Sequence, residues 1–139
     1  MPNLTDNMPA LRRILTTSRT IAIVGHSPKP QRPSYQIAQY LRQVGYTVYP
    51  VNPGQQEIDG HTCYPNLAAI PAPIDIANIF RQSKYLPDLV DQAIALNIPT
   101  VWAQEGVDWE EATARDRVQA HSLQCITNTC IMIVHRQLH

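Results

Sequence analysis

TIAIVGHSPKPQRPSY, residues 20–35, reads as strand, loop and helix in immediate succession. The apolar run Ile21-Ala22-Ile23-Val24 is short and mostly β-branched. Such a run suits a strand covered on both faces, as in a parallel sheet. Gly25 ends it, at a point where backbone turns sharply or lets a ligand approach. A polar, proline-rich loop follows over residues 26–33. Ser34 then opens a helical pattern that puts Ile37, Ala38, Leu41 and Val44 on one face. Ser34 is expected to cap the orphan N–H groups of that helix, and a helix N-terminus of this kind attracts phosphate. Strand, glycine-containing loop and capped helix form the front end of a nucleotide-binding βαβ unit.

Working outward, residues 8–17 predict an amphipathic lead-in helix, with Leu11, Ile14 and Leu15 apolar and Arg12 and Arg13 exposed. Gly45 sits where a helix C-terminal glycine belongs. Residues 46–51 predict a second strand, cut by the turn signal Asn52-Pro53-Gly54. Residues 60–64 predict a weak third strand at a sheet edge, and residues 65–71 a short crossover of one helical turn. Residues 74–80, IDIANIF, predict a fourth strand. Ser83 is expected to cap a helix reaching Asn97, with Pro87 tolerated in its first turn. Residues 100–103 predict a fifth strand. Asp108 with Glu111 reads as a capping box for a helix to Ala120. Residues 123–126 predict a short sixth strand, and residues 129–136 a terminal helix. Strands alternating with helices predict an α/β fold in three layers: a Rossmann-like, doubly wound, mostly parallel sheet with helices on both faces. Strand order is expected to reverse between the first and fourth strands, so a ligand crevice opens above their C-terminal ends.

The composition bounds the function. With 139 residues, 44% hydrophobic and 16% charged, the chain reads as one globular domain over residues 1–139. Eleven Lys+Arg balance 11 Asp+Glu, for a net charge of +0, so no overall field draws nucleic acid or an anionic membrane. Residues 1–9 are polar and no apolar run reaches spanning length, which predicts a cytoplasmic protein. The three cysteines make neither a disulfide framework nor a zinc pattern.

A dinucleotide-binding unit usually shows G-x-G-x-x-G after its first strand and an acid at the end of its second. Here the first strand is followed by Gly25-His26-Ser27-Pro28, with one glycine, and the second ends in Val51-Asn52-Pro53. The NAD reading is therefore weakened at two independent points. The residues at these places are neutral or positive: Ser27, Lys29, Arg32, Ser34, Asn52 and Arg81. That set suits a ligand with extra phosphate.

At IAIVGHSPKPQRPSYQIAQYL, GYTVYPVNPGQQEIDGHTCYPNLAAIP, DIANIFRQS, VWAQEGV and CIMIVH, the chain resembles the small stand-alone CoA-binding proteins. These are similar to the CoA-binding domain of the succinyl-CoA synthetase alpha subunit. The resemblance runs over residues 21–135. It implies coenzyme A, or an acyl-CoA, spread over the C-terminal ends of the first, second, fourth and fifth strands. It places Gly25 and Ser27 in the phosphate loop, and Arg32, Ser34 and Tyr35 at the helix start. It places Asn52 and Pro53 beside the adenosine, Phe80 and Arg81 under the adenine and phosphates, and Gln104 and Gly106 along the pantetheine. The chain departs from the family at Asn128-Thr129-Cys130, where an acidic and a basic residue usually precede the cysteine.

His26 is the histidine of interest, because it stands in the predicted phosphate loop. No spacing resembles a metal site, and no nucleophile–base–orienter set can be picked out. Cys130 is read either as a thiol made acidic by a helix N-terminus or as a buried, inert side chain. Trp102, Tyr40 and Tyr49 read as packing residues. The expectation is a non-catalytic CoA-binding, carrier or sensor module. The alternatives are an enzyme acting on an acyl-CoA and an NAD(P)-binding redox or regulatory domain. Whether the module works with a protein partner or as a homodimer stays open.

Overall fold

A computed structural model of the chain describes residues 4–108 and 123–138. Among them, five parallel strands make one sheet in the order β2-β1-β5-β6-β7. These are β1 (Thr20–Val24), β2 (Thr47–Val51), β5 (Ile76–Ile79), β6 (Thr100–Ala103) and β7 (Gln124–Ile126). Ile21–Val24 pair with Val48–Val51 on one side and with Ile76–Ile79 on the other. Strand order thus reverses between β1 and β5, as expected, and a crevice opens at that switch point.

Alternation within each strand builds two cores. Ile21, Ile23, Ile76, Trp102 and Ile126 face helices α1 (Met8–Thr17), α2 (Pro33–Gln43) and α4 (Ile131–Leu138). Ala22, Val24, Ala77, Ile79 and Val101 face helix α3 (Leu86–Ala95). The layers are therefore helix, sheet, helix. Trp102 is fully buried, and Tyr40 and Tyr49 pack against the two cores. Pro50 sits inside β2, which is tolerable because β2 lies at the sheet edge.

Three expectations need correction. Residues 60–64 do not add a strand to the sheet's ladder. Instead β3 (Glu57–Ile58) and β4 (His61–Thr62) form a separate antiparallel hairpin, touching the sheet through a bridge between Val51 and Tyr64. The hairpin closes through Asp59 (φ 53°) and Gly60 (φ 77°), the left-handed pair that a two-residue turn requires. Second, Ser34 does not cap α2. The cap position is Arg32, which makes no side-chain capping bond. Third, Ser83 does not cap α3, because a 3-10 turn (Ser83–Tyr85) precedes that helix. The Ser83 hydroxyl instead bonds to Gly106 O at 3.4 Å and accepts from Asp108 N at 3.0 Å. The helix expected after Asp108 lies outside the described residues. No described helix is long and apolar enough to cross a membrane.

Candidate functional site

The exit of β1 is tied to both neighbouring strands. Gly25 N and His26 N donate to Val51 O at 2.9 and 3.2 Å, and Phe80 N donates to Val24 O at 2.8 Å. Gly25 has φ +86°, a conformation that a side chain resists. A Cβ there would stand 3.0 Å from Phe80 O and 3.0 Å from Arg81 Cδ. The glycine is thus demanded by the contact between the β1 and β5 exits, whatever ligand approaches.

The loop after Gly25 folds back onto the start of α2. Ser27 N donates to Ser34 Oγ at 2.9 Å, which is why the Ser34 hydroxyl serves the loop and not the helix end. Lys29 N donates to Ser27 Oγ at 3.1 Å, and Arg32 N to Lys29 O at 3.0 Å. Asn52 pins the loop from the β2 side. Its Nδ2 donates to His26 O at 2.9 Å while its Oδ1 accepts from Gly54 N at 2.8 Å. Both ends of that amide are therefore engaged in holding backbone.

His26 points inward and is 1% exposed. Its Nδ1 donates to Ser27 O at 2.8 Å, which leaves Nε2 as an acceptor with no partner. Burial lowers its pKa below the ordinary histidine value. Tyr35 meets the ring edge-on at 5.9 Å. A hydrogen bond to Asp59 raises the pKa of the Tyr35 phenol, so this tyrosine serves the β3–β4 hairpin.

Gly25 is shared by two depressions of unlike chemistry. One is a slot of about 120 Å³ between the β1 and β2 exits and α3, walled by Val24, Val51, Pro53, Leu67 and Leu89, with Arg81, Tyr85, Asp88 and Gln92 also on its lining. The other, about 520 Å³, runs along the α2 start past Ser27, Lys29, Arg32, Ser34 and Phe80. Seven of the residues expected at a ligand therefore come together: Gly25, Ser27, Arg32, Ser34, Pro53, Phe80 and Arg81. Asn52 stands next to them as a brace.

Gln104 and Gly106 line neither depression. Gln104 is 6% exposed, and its Oε1 accepts from Asn78 Nδ2 at 3.3 Å and from Ile131 N at 3.1 Å, closing the first turn of α4. Gly106 N donates to Asn128 Oδ1 at 2.7 Å. Cys130 is buried beside them, and burial pushes the Cys125 thiol up to about 12. Tyr85, Leu67 and Leu89 were not foreseen at the slot. Only the fold brings them there, although an aromatic residue four places after Arg81 was a weak sign.

Residues 19–136 match the family model described as a CoA binding domain. The chain belongs to this CoA-binding domain family. Its relatives include the protein YneT of Bacillus subtilis, 34% identical over 125 residues, covering 90% of this chain and 91% of that one. An ADP-forming acetate–CoA ligase of Archaeoglobus fulgidus is 36% identical over 74 residues. That match covers 53% of this chain and only 11% of the ligase. Among solved structures, a hypothetical protein from Pyrococcus horikoshii superposes with a TM-score of 0.89 at 36% identity, covering 95% of this chain and 92% of that one. In this CoA-binding domain, as in that neighbour, the α/β architecture is the one read from the sequence.

Proposed function

We propose that the chain binds coenzyme A, free or acylated, above the C-terminal ends of β1, β2 and β5. In this reading it is a non-catalytic carrier or sensor module of the cytoplasm, formed as a single domain. The observation that carries the reading is Gly25 at the junction of a largely apolar slot and a cationic shelf. A flat purine ring suits the slot, where burial of its faces is favourable. A diphosphate suits the junction, where the α2 start has no side-chain cap and Lys29 and Arg32 stand close by. The 3′-phosphate that distinguishes coenzyme A from NAD finds a cation in Arg81. NAD fits less well, because no acid ends β2 and the Asn52 amide is already engaged at both ends.

The family match and the ligase relative support the same ligand class. Titration calorimetry with coenzyme A, acetyl-CoA, NAD and NADP tests it. Coenzyme A and acetyl-CoA are expected to bind and NAD to be weaker by tenfold or more, about 1.4 kcal/mol. NAD binding tighter than coenzyme A would overturn the reading. Incubation with acetyl-CoA, or with acetate, ATP and coenzyme A, should leave the substrates unchanged. Turnover in either mixture would replace the carrier with an enzyme.

A further inference from the structure

Arg81 lies across the mouth of the slot. Its Cδ packs over Gly25, so close that a Cβ on the glycine would meet it at 3.0 Å. Its guanidinium carbon rests 4.1 Å from the centroid of the Tyr85 ring, on the other wall of the same slot. Arg81 makes no ion pair among the described residues, so the ring is the partner that fixes its head group. Tyr85 is itself held in place. It ends the 3-10 turn, and its N–H donates to Gln82 O at 3.0 Å. That turn is tied to the loop after β6 through Ser83 Oγ and Gly106 O. Tyr85 is 39% exposed, so its contact with Arg81 is made at the surface.

We infer that Tyr85 is a positioning residue: it holds the Arg81 guanidinium over the slot mouth, beside Gly25, where the ligand's phosphates cross. The inference rests on the coenzyme A reading. A flexible arginine loses rotamer freedom when it grips a phosphate, and a side chain already stacked has less to lose. The ring face attracts the cation without neutralising it, so the charge stays available to an anion. A carboxylate in the same place would hold the arginine equally well and cancel its charge.

The test is a set of titrations of coenzyme A into the wild-type chain and into Tyr85→Phe, Tyr85→Leu, Arg81→Ala and the Tyr85→Leu/Arg81→Ala double variant. Tyr85→Phe keeps the ring face and should bind as wild type. Tyr85→Leu should bind about two- to fivefold more weakly, the worth of an exposed cation–ring contact. Arg81→Ala should lose about tenfold or more. The double variant should be no weaker than Arg81→Ala alone, because Tyr85 acts through Arg81. Thermal melts of each variant without ligand separate loss of fold from loss of affinity. Losses that multiply in the double variant would mean that Tyr85 acts other than through Arg81, by touching the ligand or through Lys84, whose Nζ lies 5.3 Å from the same ring centroid, and the inference would be wrong. Equal losses in Tyr85→Phe and Tyr85→Leu would assign the effect to the hydroxyl, and so would overturn it too. If the wild-type chain binds no coenzyme A, the functional reading itself has failed and the inference falls with it. If the wild type binds and Tyr85→Leu is unchanged, only the inference falls.

Discussion

Burying His26 with a free Nε2 ties the stability of the loop to pH. The folded-state pKa is lowered by burial, while the unfolded chain keeps the ordinary value of 6.5. Below that value the unfolded state binds more protons than the native state, so stability rises with pH through this window. The contribution is complete above about pH 6.5 and is lost as the pH falls below it. His26→Leu should remove this part of the slope. Urea unfolding at pH 5 and pH 7.5 reads it, and equal slopes in wild type and variant would exclude His26 as the cause. Gly25 makes a second demand, through backbone. Its φ of +86° and the 3.0 Å approach to Phe80 O leave a methyl group no comfortable place. Gly25→Ala should destabilise the chain by about 1–3 kcal/mol with no ligand present, the range for backbone strain. Unchanged urea stability would show that the β1 and β5 exits can separate at little cost. The same measurement is needed before any loss of ligand binding at this position is read as a lost contact.

Between residues and architecture stand the loop at 25–32 and the helix that follows it. Proline supplies the first helical position of α2, and Ser34 comes next with its hydroxyl turned back to Ser27 N. The serine is 4% exposed and Ser27 is half-buried, so removing the acceptor leaves a partly buried backbone donor without its partner. Ser34→Ala should cost about 1–2 kcal/mol in urea unfolding and speed exchange of the Ser27 amide. If both stay unchanged, the loop is held without the Ser34 hydroxyl, by its bonds to Val51 and Asn52 and its own turn at Lys29 and Arg32. This pair also explains which parts of the fold could be read from the sequence. The strands were readable because a run such as Ile21–Val24 is apolar on both faces and stands between clear breaks. The two serine caps were misread because their hydroxyls answer to partners set by tertiary structure: Ser27 for Ser34, and Gly106 and Asp108 for Ser83. The β3–β4 hairpin had a local signal, Asp59-Gly60, that a search for parallel strands passes over.

For the molecule as a whole, the strand order sets where the proposed site lies, and the charge distribution narrows what it would hold. Net charge is +0, so nothing draws an anion from afar, and the cations near the Gly25 junction act only at short range. The backbone half of the candidate site was readable because Gly25 and the switch point follow from element order. The side-chain half was not. Gln104 looked like a loop residue after a strand, yet it turns into the core to meet Asn78 and α4. Tyr85 and Leu89 reach the slot only because α3 packs against β1 and β5. A wider hollow, about 960 Å³, opens between α1 and α4 and is lined by Asp6, Glu105 and Asp108. Volume alone would favour it, but its described lining has carboxylates and no Lys or Arg, whereas the Gly25 junction sets Lys29, Arg32 and Arg81 against the one carboxylate of Asp88, so charge favours the Gly25 junction for a ligand with several phosphates. Hydrogen exchange with and without coenzyme A separates the two. Saturating ligand should slow exchange severalfold or more at residues 25–36 and 80–86, because amides there would be bonded to phosphate or covered by the ligand. The β3–β4 hairpin and α1 should exchange as before. Protection centred on residues 5–8 and 127–134, with the Gly25 loop unchanged, would move the site to the acidic hollow and remove the basis for placing phosphate at the α2 start.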